Sequence, residues 1–544
     1  MDLRRKIARL ALTSLSSREE NGRMDQYHRL RRQVLETGVA GYVVFGGNIG
    51  SVAEIVEELA ESTERPLIVA SDLERGLGQQ LEGGTVFPPQ MAVGAAGDPD
   101  LALAQGWVTA AEARAIGVNL IFAPVADVAS EIANPIIGVR SYGGDPGLVA
   151  SCVAGFVRGC QSAGVATTAK HFPGHGDTRR DSHIELPTVD ADRVLLEGRE
   201  LAPFRAAVDA GARAVMTAHV AYPALDGSGA PASFSRPIVT GLLREEMGFD
   251  GVVVTDALLM GAVTRTMSQG EAAVAAIEAG ADLLLMPADL DAAVEGIREA
   301  VESGRLPEER IDLSLARVDS LLEWRASVGS MQVPEAVAAI DLAGRRRGAV
   351  SPTRVGRSFH HDAVALEIAG RGITLLRDRA GMIPLDPDGL AGAKVACVAL
   401  VEDDRPPNLV WLRSQMNAAL PGLTVESVDR SSGERELSSL VRLCQESDRA
   451  VLAVFDDVAA WRGRAGPSPE LLSILSRFLA ARPDVAVLAF TGPEIGLLAP
   501  DAGTVILCYD GSPACQIAAA RALFGRIPIA GRLPVELPER ESES

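Results

Sequence analysis

The run Lys170–Asp190 reads KHFPGHGDTRRDSHIELPTVD and concentrates side chains that can do chemistry. It holds His171, His175 and His183, three of only seven histidines in the chain, with Asp177 and Asp181 beside them. Pro173, Gly174 and Gly176 dictate a loop, because proline fixes φ and glycine admits conformations that other residues avoid. Two chemistries compete for such a cluster. Clustered His and Asp can ligate a metal, as in a barrel metallohydrolase. Against that reading, the first strands carry no His-x-His pair, and no remote Glu or His is obviously placed as a further ligand. Acid–base work is the alternative. Asp181 and His183 are two positions apart, so an extended loop puts them on one face. A carboxylate there fixes the tautomer of the imidazole and supports its charge. His183 can then donate a proton to a leaving group and later accept one from water. On a sugar this also needs a nucleophile, and Asp256, directly after GFDGVVVT, is the best candidate, since a carboxylate can form a glycosyl ester. The competing reading of Asp256 is a helix N-cap, because a helical run follows at Ala257.

These residues need elements to hold them. Short apolar runs occur at Gly41–Phe45, Pro66–Ala70, Asn119–Pro124, Ala166–Ala169, Ala212–Thr217, Gly251–Thr255 and Asp282–Met286. Helically spaced segments such as Asp100–Ile116 lie between them. Continuously apolar strands between helices imply a parallel sheet covered on both faces. With an eighth strand around Ile7–Leu15 the set closes a (β/α)8 TIM-type barrel over residues 1–334. Successive strands run into polar residues: Asp72, Asp127, Lys170 with His171, His219 and Asp256. In a barrel these ends open onto one rim, where catalytic groups sit.

From Glu335 to about Ser358 the pattern breaks, with RRRG, Pro352 and Gly356, and this stretch reads as a linker. A helix at His361–Gly370 then opens a smaller α/β domain over residues 359–544. Its strands are expected at Lys394–Leu400, Ala450–Phe455, Val485–Phe490 and Thr504–Cys508, with no Gly-rich phosphate fingerprint.

Composition bounds the function. A chain of 544 residues is too long for one ordinary domain. A formal charge of −20 argues against a nucleic-acid binder, which needs a basic face. No apolar stretch approaches the length that spans a bilayer, so no membrane partner is expected. Arg9 interrupts the apolar N-terminal run, which is read as a first helix or strand rather than a signal peptide. Six scattered cysteines without a CxxC pair read as reduced thiols in a cytoplasmic protein.

KHFPGHGDTRRDSH resembles the signature of the NagZ-like, β-N-acetylglucosaminidase branch of glycoside hydrolase family 3. NPIIGVRSYGGDP (134–146), VMTAHVAYP (215–223), PASFSRPIVTGLLREEMGFDGVVVTDALLMGA (231–262) and GRIPIAGRLPVELP (525–538) are similar to family segments as well. The resemblance implies a retaining β-N-acetylhexosaminidase with a C-terminal α/β sandwich, no cofactor and no metal. It implies Asp256 as nucleophile, His183 as general acid/base and Asp181 as the group that orients it. It also implies that Asp72, Arg140, Lys170 and His171 hold the non-reducing sugar, and it suggests a role in peptidoglycan-fragment recycling. Alternatives within the family are a β-glucosidase or xylosidase specificity and phosphorolysis, since a neutral imidazole does not repel phosphate; a non-catalytic carbohydrate-binding protein is the alternative outside enzymes. One segment departs: DLERGLGQQ (72–80) ends in Gln80 where the family carries a sugar-contacting Arg, with Arg75 as a partial substitute.

Overall fold

A computed structural model describes residues 2–16, 23–182, 184–329, 331, 333–346, 360–402, 408–456 and 463–538. The chain divides into two compact units. One comprises Met1–Thr85, Pro99–Val128 and Pro146–His361; the other comprises Val86–Asp98, Ala129–Asp145 and Asp362–Ser544.

The first unit is the expected barrel. Its strands are β1 (Ala11–Ser16), β2 (Gly41–Phe45), β3 (Ile68–Ser71), β4 (Leu120–Ile121), β5 (Ala166–Phe172), β6 (Ala214–Thr217), β7 (Val252–Thr255) and β8 (Leu284–Leu285). They form one parallel sheet in the order β7-β6-β5-β4-β3-β2-β1-β8. A parallel bridge between Val254 and Leu283, with Thr255 N–H donating to Leu283 O at 3.0 Å, brings the two ends of that sheet together. The strands are continuously apolar because both faces are covered: Leu12, Val43, Ile68, Leu120, Phe122, Met216, Val254 and Leu283 pack into one buried cluster. The first segment contributes both a helix, Leu3–Ala8, and the eighth strand, β1.

The second unit carries a six-stranded sheet: β9 (Thr374–Asp378), β10 (Val395–Val401), β11 (Val425–Asp429), β12 (Arg449–Phe455), β13 (Ala486–Phe490) and β14 (Thr504–Leu507). Its order is β11-β10-β12-β13-β14-β9, parallel except for β9. Four of these strands, β10, β12, β13 and β14, coincide with the expected apolar runs. β9 and β11 carry no unbroken apolar run because they lie at the sheet edges, where most of their residues are partly or fully exposed.

Two stretches inside residues 1–334 group with this second unit. Hydrogen bonds account for it: Arg532 N–H donates to Ala95 O at 2.9 Å, and Gly144 N–H to Pro534 O at 2.8 Å. Arg371 also pairs with Asp98 at 2.8 Å. The expected linker is partly structured. Glu335–Arg346 is a helix that buries Val337, as its Ala-rich EAVAAI start favours, and residues 347–359 lie outside the described residues. Among the described residues no helix is long and apolar enough to cross a membrane.

Candidate active site

The C-terminal ends of β3, β5 and β7 bring charged groups to the barrel rim. Lys170 lies within β5 and is buried, so its ammonium needs opposite charge. It has two carboxylates: Asp72 Oδ1 at 2.6 Å and Glu74 Oε1 at 2.7 Å. Glu74 is buried, whereas the Asp72 side chain keeps 26% of its surface open. Sequence reading assigned no role to Glu74; the signal available was an acidic residue two positions from Asp72 on a strand-end loop. That loop is held by amides. Gln80 Nε2 donates to Asp72 O at 3.3 Å, Gln79 Oε1 accepts Arg75 N–H at 2.8 Å, and Gln105 Nε2 donates to Glu74 O at 3.2 Å. Gln80 therefore ties down the backbone of Asp72, the first of the two carboxylates on Lys170.

His171 is seated by a buried carboxylate. Its backbone N–H donates to Asp127 Oδ1 at 3.1 Å, and its Nδ1 lies 2.7 Å from Asp127 Oδ2. This pairing puts the Nδ1 proton on the carboxylate side and fixes the ring plane. The same Asp127 Oδ1 accepts the backbone N–H of His175 at 2.7 Å. The Lys170–His171 and Phe172–Pro173 peptide bonds are cis.

The loop after β5 is packed rather than free. A Cβ on Gly176 would lie 1.6 Å from Val128 O, so only glycine fits there. The Tyr222 hydroxyl donates to Gly174 O. His175 is fully buried between two hydroxyls, Thr178 Oγ1 and Ser182 Oγ, each 2.9 Å away. Burial pushes its imidazole down to about 4, with the neighbouring His171 adding to the effect, so it is neutral in this site. Arg199 bridges Asp177 and Glu200, both at 2.6 Å. Burial pushes the Glu200 carboxyl up to about 7 despite that guanidinium.

Asp181 is buried at the end of this loop. Its carbonyl accepts the N–H groups of Ile184 at 2.9 Å and Glu185 at 3.0 Å. The described residues on either side of His183 are thus turn-like, in place of the extended segment expected from the spacing of Asp181 and His183. The hydroxyl and imidazole bonds inside the loop favour that turn. His183 itself, and its pairing with Asp181, lie outside the described residues.

Asp256 directly follows β7 and is half-buried. Its N–H donates to Thr217 O at 3.0 Å, and its Oδ1 accepts the adjacent Ala257 N–H at 2.8 Å. The next helix starts only at Gly261, with Met260 at its N-cap, so Asp256 caps no helix. His219, fully buried beyond β6, donates from Nε2 to Ala257 O at 3.2 Å and braces the same turn. Arg140 belongs to the second unit, at the end of the helical turn Gly138–Arg140, where its Nη1 donates to Ile136 O at 3.0 Å. Among the described residues, no three His, Cys, Asp or Glu side chains converge as metal ligands.

Comparison with known proteins agrees with this architecture. Residues 2–321 match the family model described as "Glycosyl hydrolase family 3 N terminal domain". A beta-hexosaminidase A from Pseudoalteromonas piscicida is 32% identical over 380 residues, 64% of this chain; the matched part spans 62% of that relative, less than two thirds of its length. A beta-hexosaminidase from Xylella fastidiosa (strain 9a5c) is 42% identical over 261 residues, 46% of this chain and 77% of the relative. Among solved structures, a glycoside hydrolase family 3 beta-N-acetylglucosaminidase from Paenibacillus sp. str. FPU-7 superposes with a TM-score of 0.84 at 35% identity. That likeness covers 98% of this chain and 99% of the other. With more than half its length matched by the family model, and a barrel rim carrying carboxylates, a lysine and histidines, the chain belongs to glycosyl hydrolase family 3, a family of glycosidases.

Proposed function

We propose that the chain is a retaining β-N-acetylglucosaminidase that removes terminal β-linked N-acetylglucosamine. The observation that carries this reading is the end-to-end likeness to a family 3 beta-N-acetylglucosaminidase. The rim geometry supports it: a half-buried carboxylate, Asp256, shares the rim with a buried Lys170 that two carboxylates hold. Asp256 attacks the anomeric carbon, and the bond from that carbon to the leaving oxygen breaks as a glycosyl ester forms. His183 gives its proton to the departing oxygen, with Asp181 orienting the ring. Water then attacks the same carbon, His183 takes the water proton, and the ester bond to Asp256 breaks, so the anomeric configuration is retained. Oδ1 of Asp256 accepts the Ala257 N–H, which fixes the rotamer of the attacking carboxylate. Asp72, Lys170 and His171 hold sugar hydroxyls, because charged donors and acceptors make the stronger hydrogen bonds.

The six cysteines are free and buried, which fits a reducing compartment. A cytoplasmic enzyme acting on peptidoglycan fragments belongs to this proposal. A panel of aryl β-glycosides, assayed with and without phosphate, tests it. N-acetylglucosaminide is expected to be the preferred substrate and the free sugar the product. Preference for glucoside or xyloside, or release of a sugar 1-phosphate, would overturn the assignment.

A further inference from the structure

His175 is the histidine of the loop that the proposed mechanism leaves unused. Its contacts are specific. Thr178 Oγ1 donates to His175 O at 3.2 Å, which uses the one proton of that hydroxyl. The Nδ1 of His175, 2.9 Å from the same oxygen, must then be the donor. Its Nε2 is left as the acceptor, and Ser182 Oγ–H donates to it at 2.9 Å. A single neutral imidazole therefore ties the start of the loop to Ser182, the residue between Asp181 and His183. The backbone of His175 is itself fixed by Asp127, the carboxylate that also seats His171.

From this chain of bonds we infer that His175 is a positioning residue for acid/base catalysis, acting through Ser182 on the Asp181–His183 pair. Asp127 and His175 then join the sugar-holding end of the loop to its proton-moving end. The imidazole is fully buried and both nitrogens are engaged within the loop, so it does not itself exchange protons with substrate. The inference rests on the acid/base reading of Asp181 and His183, and the experiment separates the two.

Leaving-group dependence is the readout, because a dinitrophenolate departs almost without a proton and a methylumbelliferyl oxygen gains more from one. Turnover of the dinitrophenyl and methylumbelliferyl β-N-acetylglucosaminides is compared for wild type, His175→Ala, Ser182→Ala and His183→Ala. His183→Ala is expected to lose about 100-fold in kcat on the methylumbelliferyl substrate and far less on the dinitrophenyl one. His175→Ala is expected to show the same selective loss, about 10-fold, with KM nearly unchanged. Ser182→Ala, which keeps the imidazole, shifts in the same direction and adds little when combined with His175→Ala. Equal losses on both substrates, or independent losses that multiply, overturn the positioning role. If His183→Ala is selective and neither His175→Ala nor Ser182→Ala is, this inference alone fails. If His183→Ala shows no selectivity, the acid/base reading itself fails. Should His175→Ala not fold, Ser182→Ala decides.

Discussion

The two ends of the barrel use the same charges for opposite purposes. At the base, Asp282 is fully buried before β8 and faces three arginines. Its Oδ2 accepts Val253 N–H at 2.9 Å and Arg244; its Oδ1 accepts Ser314 Oγ–H at 2.8 Å, Arg317 Nη1 at 3.3 Å and Arg310 Nη2 at 3.4 Å. The guanidiniums also bond to carbonyls: Arg244 to Phe249 at 3.1 Å, and Arg310 to Ile277 at 3.2 Å and Ala281 at 2.6 Å. Burial holds Arg244 and Arg310 below the usual guanidinium range, with Asp282 opposing that shift and Arg317 adding to it. Planar forks satisfied by both carboxylate and backbone make a closed clamp. At the rim the cation is a lysine, Asp72 remains a quarter open, and Asp256 is half-buried. A rim group with surface left over can exchange a protein contact for a sugar hydroxyl; a base group cannot.

From that contrast, damage at the rim is expected to remove activity and damage at the base to remove stability. The largest effect is expected from Asp256→Ala: a loss of roughly 10⁴-fold or more in kcat/KM on an aryl N-acetylglucosaminide, with the melting midpoint little changed. Near-normal turnover would remove Asp256 from the mechanism. Asp282→Ala strands three arginines and is expected to cost about 3–5 kcal/mol in denaturant unfolding. The fraction that remains folded should turn over at close to the wild-type rate; a stable but inactive variant would break the comparison. Lys170→Met leaves Asp72 and Glu74 facing one another without their cation. Its kcat/KM is expected to fall about 100-fold, read from initial rates across substrate concentration.

The smallest effect sharpens the loop's place in the comparison. The folded state holds the proton of Glu200 up to about pH 7, while the unfolded chain releases it near the ordinary carboxylate value. Its contribution is therefore intact at low pH and is lost as pH rises through 7. Glu200→Gln should gain on wild type, by on the order of 2 kcal/mol, between pH 5 and pH 8 in paired melting curves. His175 works in the other sense. The unfolded chain takes up a proton near pH 6.5 that the buried imidazole refuses until about 4, so its contribution is lost as pH falls through that window. A stability of Glu200→Gln that falls relative to wild type as pH rises would contradict the buried, raised carboxyl.

How much was legible beforehand depends on the range of the signal. The barrel strands were readable because each buries both faces, which makes a short unbroken apolar run such as VVVT or IVAS. Asp72, Lys170, His171 and Asp256 were readable as strand-end residues. Glu74 was not, because what marks it is the Lys170 ammonium 96 positions later in the chain, and that partner is invisible to local pattern. The Asp282 clamp is invisible for the same reason: its arginines come from two helices, Pro237–Glu246 and Glu308–Ser327, that lie far apart in sequence. The helix Glu335–Arg346 was hidden by the RRRG that overlaps its end.

By itself, then, the sequence determined the element types, the strand ends that carry reactive groups and the family signature, since these depend on residues a few positions apart. Tertiary structure decided the rest. It chose which two carboxylates neutralise Lys170, made Asp127 the common seat of His171 and His175, ruled out a helix cap at Asp256, and sent residues 86–98 and 129–145 to the second unit. The physical reason is burial: a charge or imidazole removed from water must find its partner wherever the fold brings one, and that distance in sequence is set by topology rather than by local propensity.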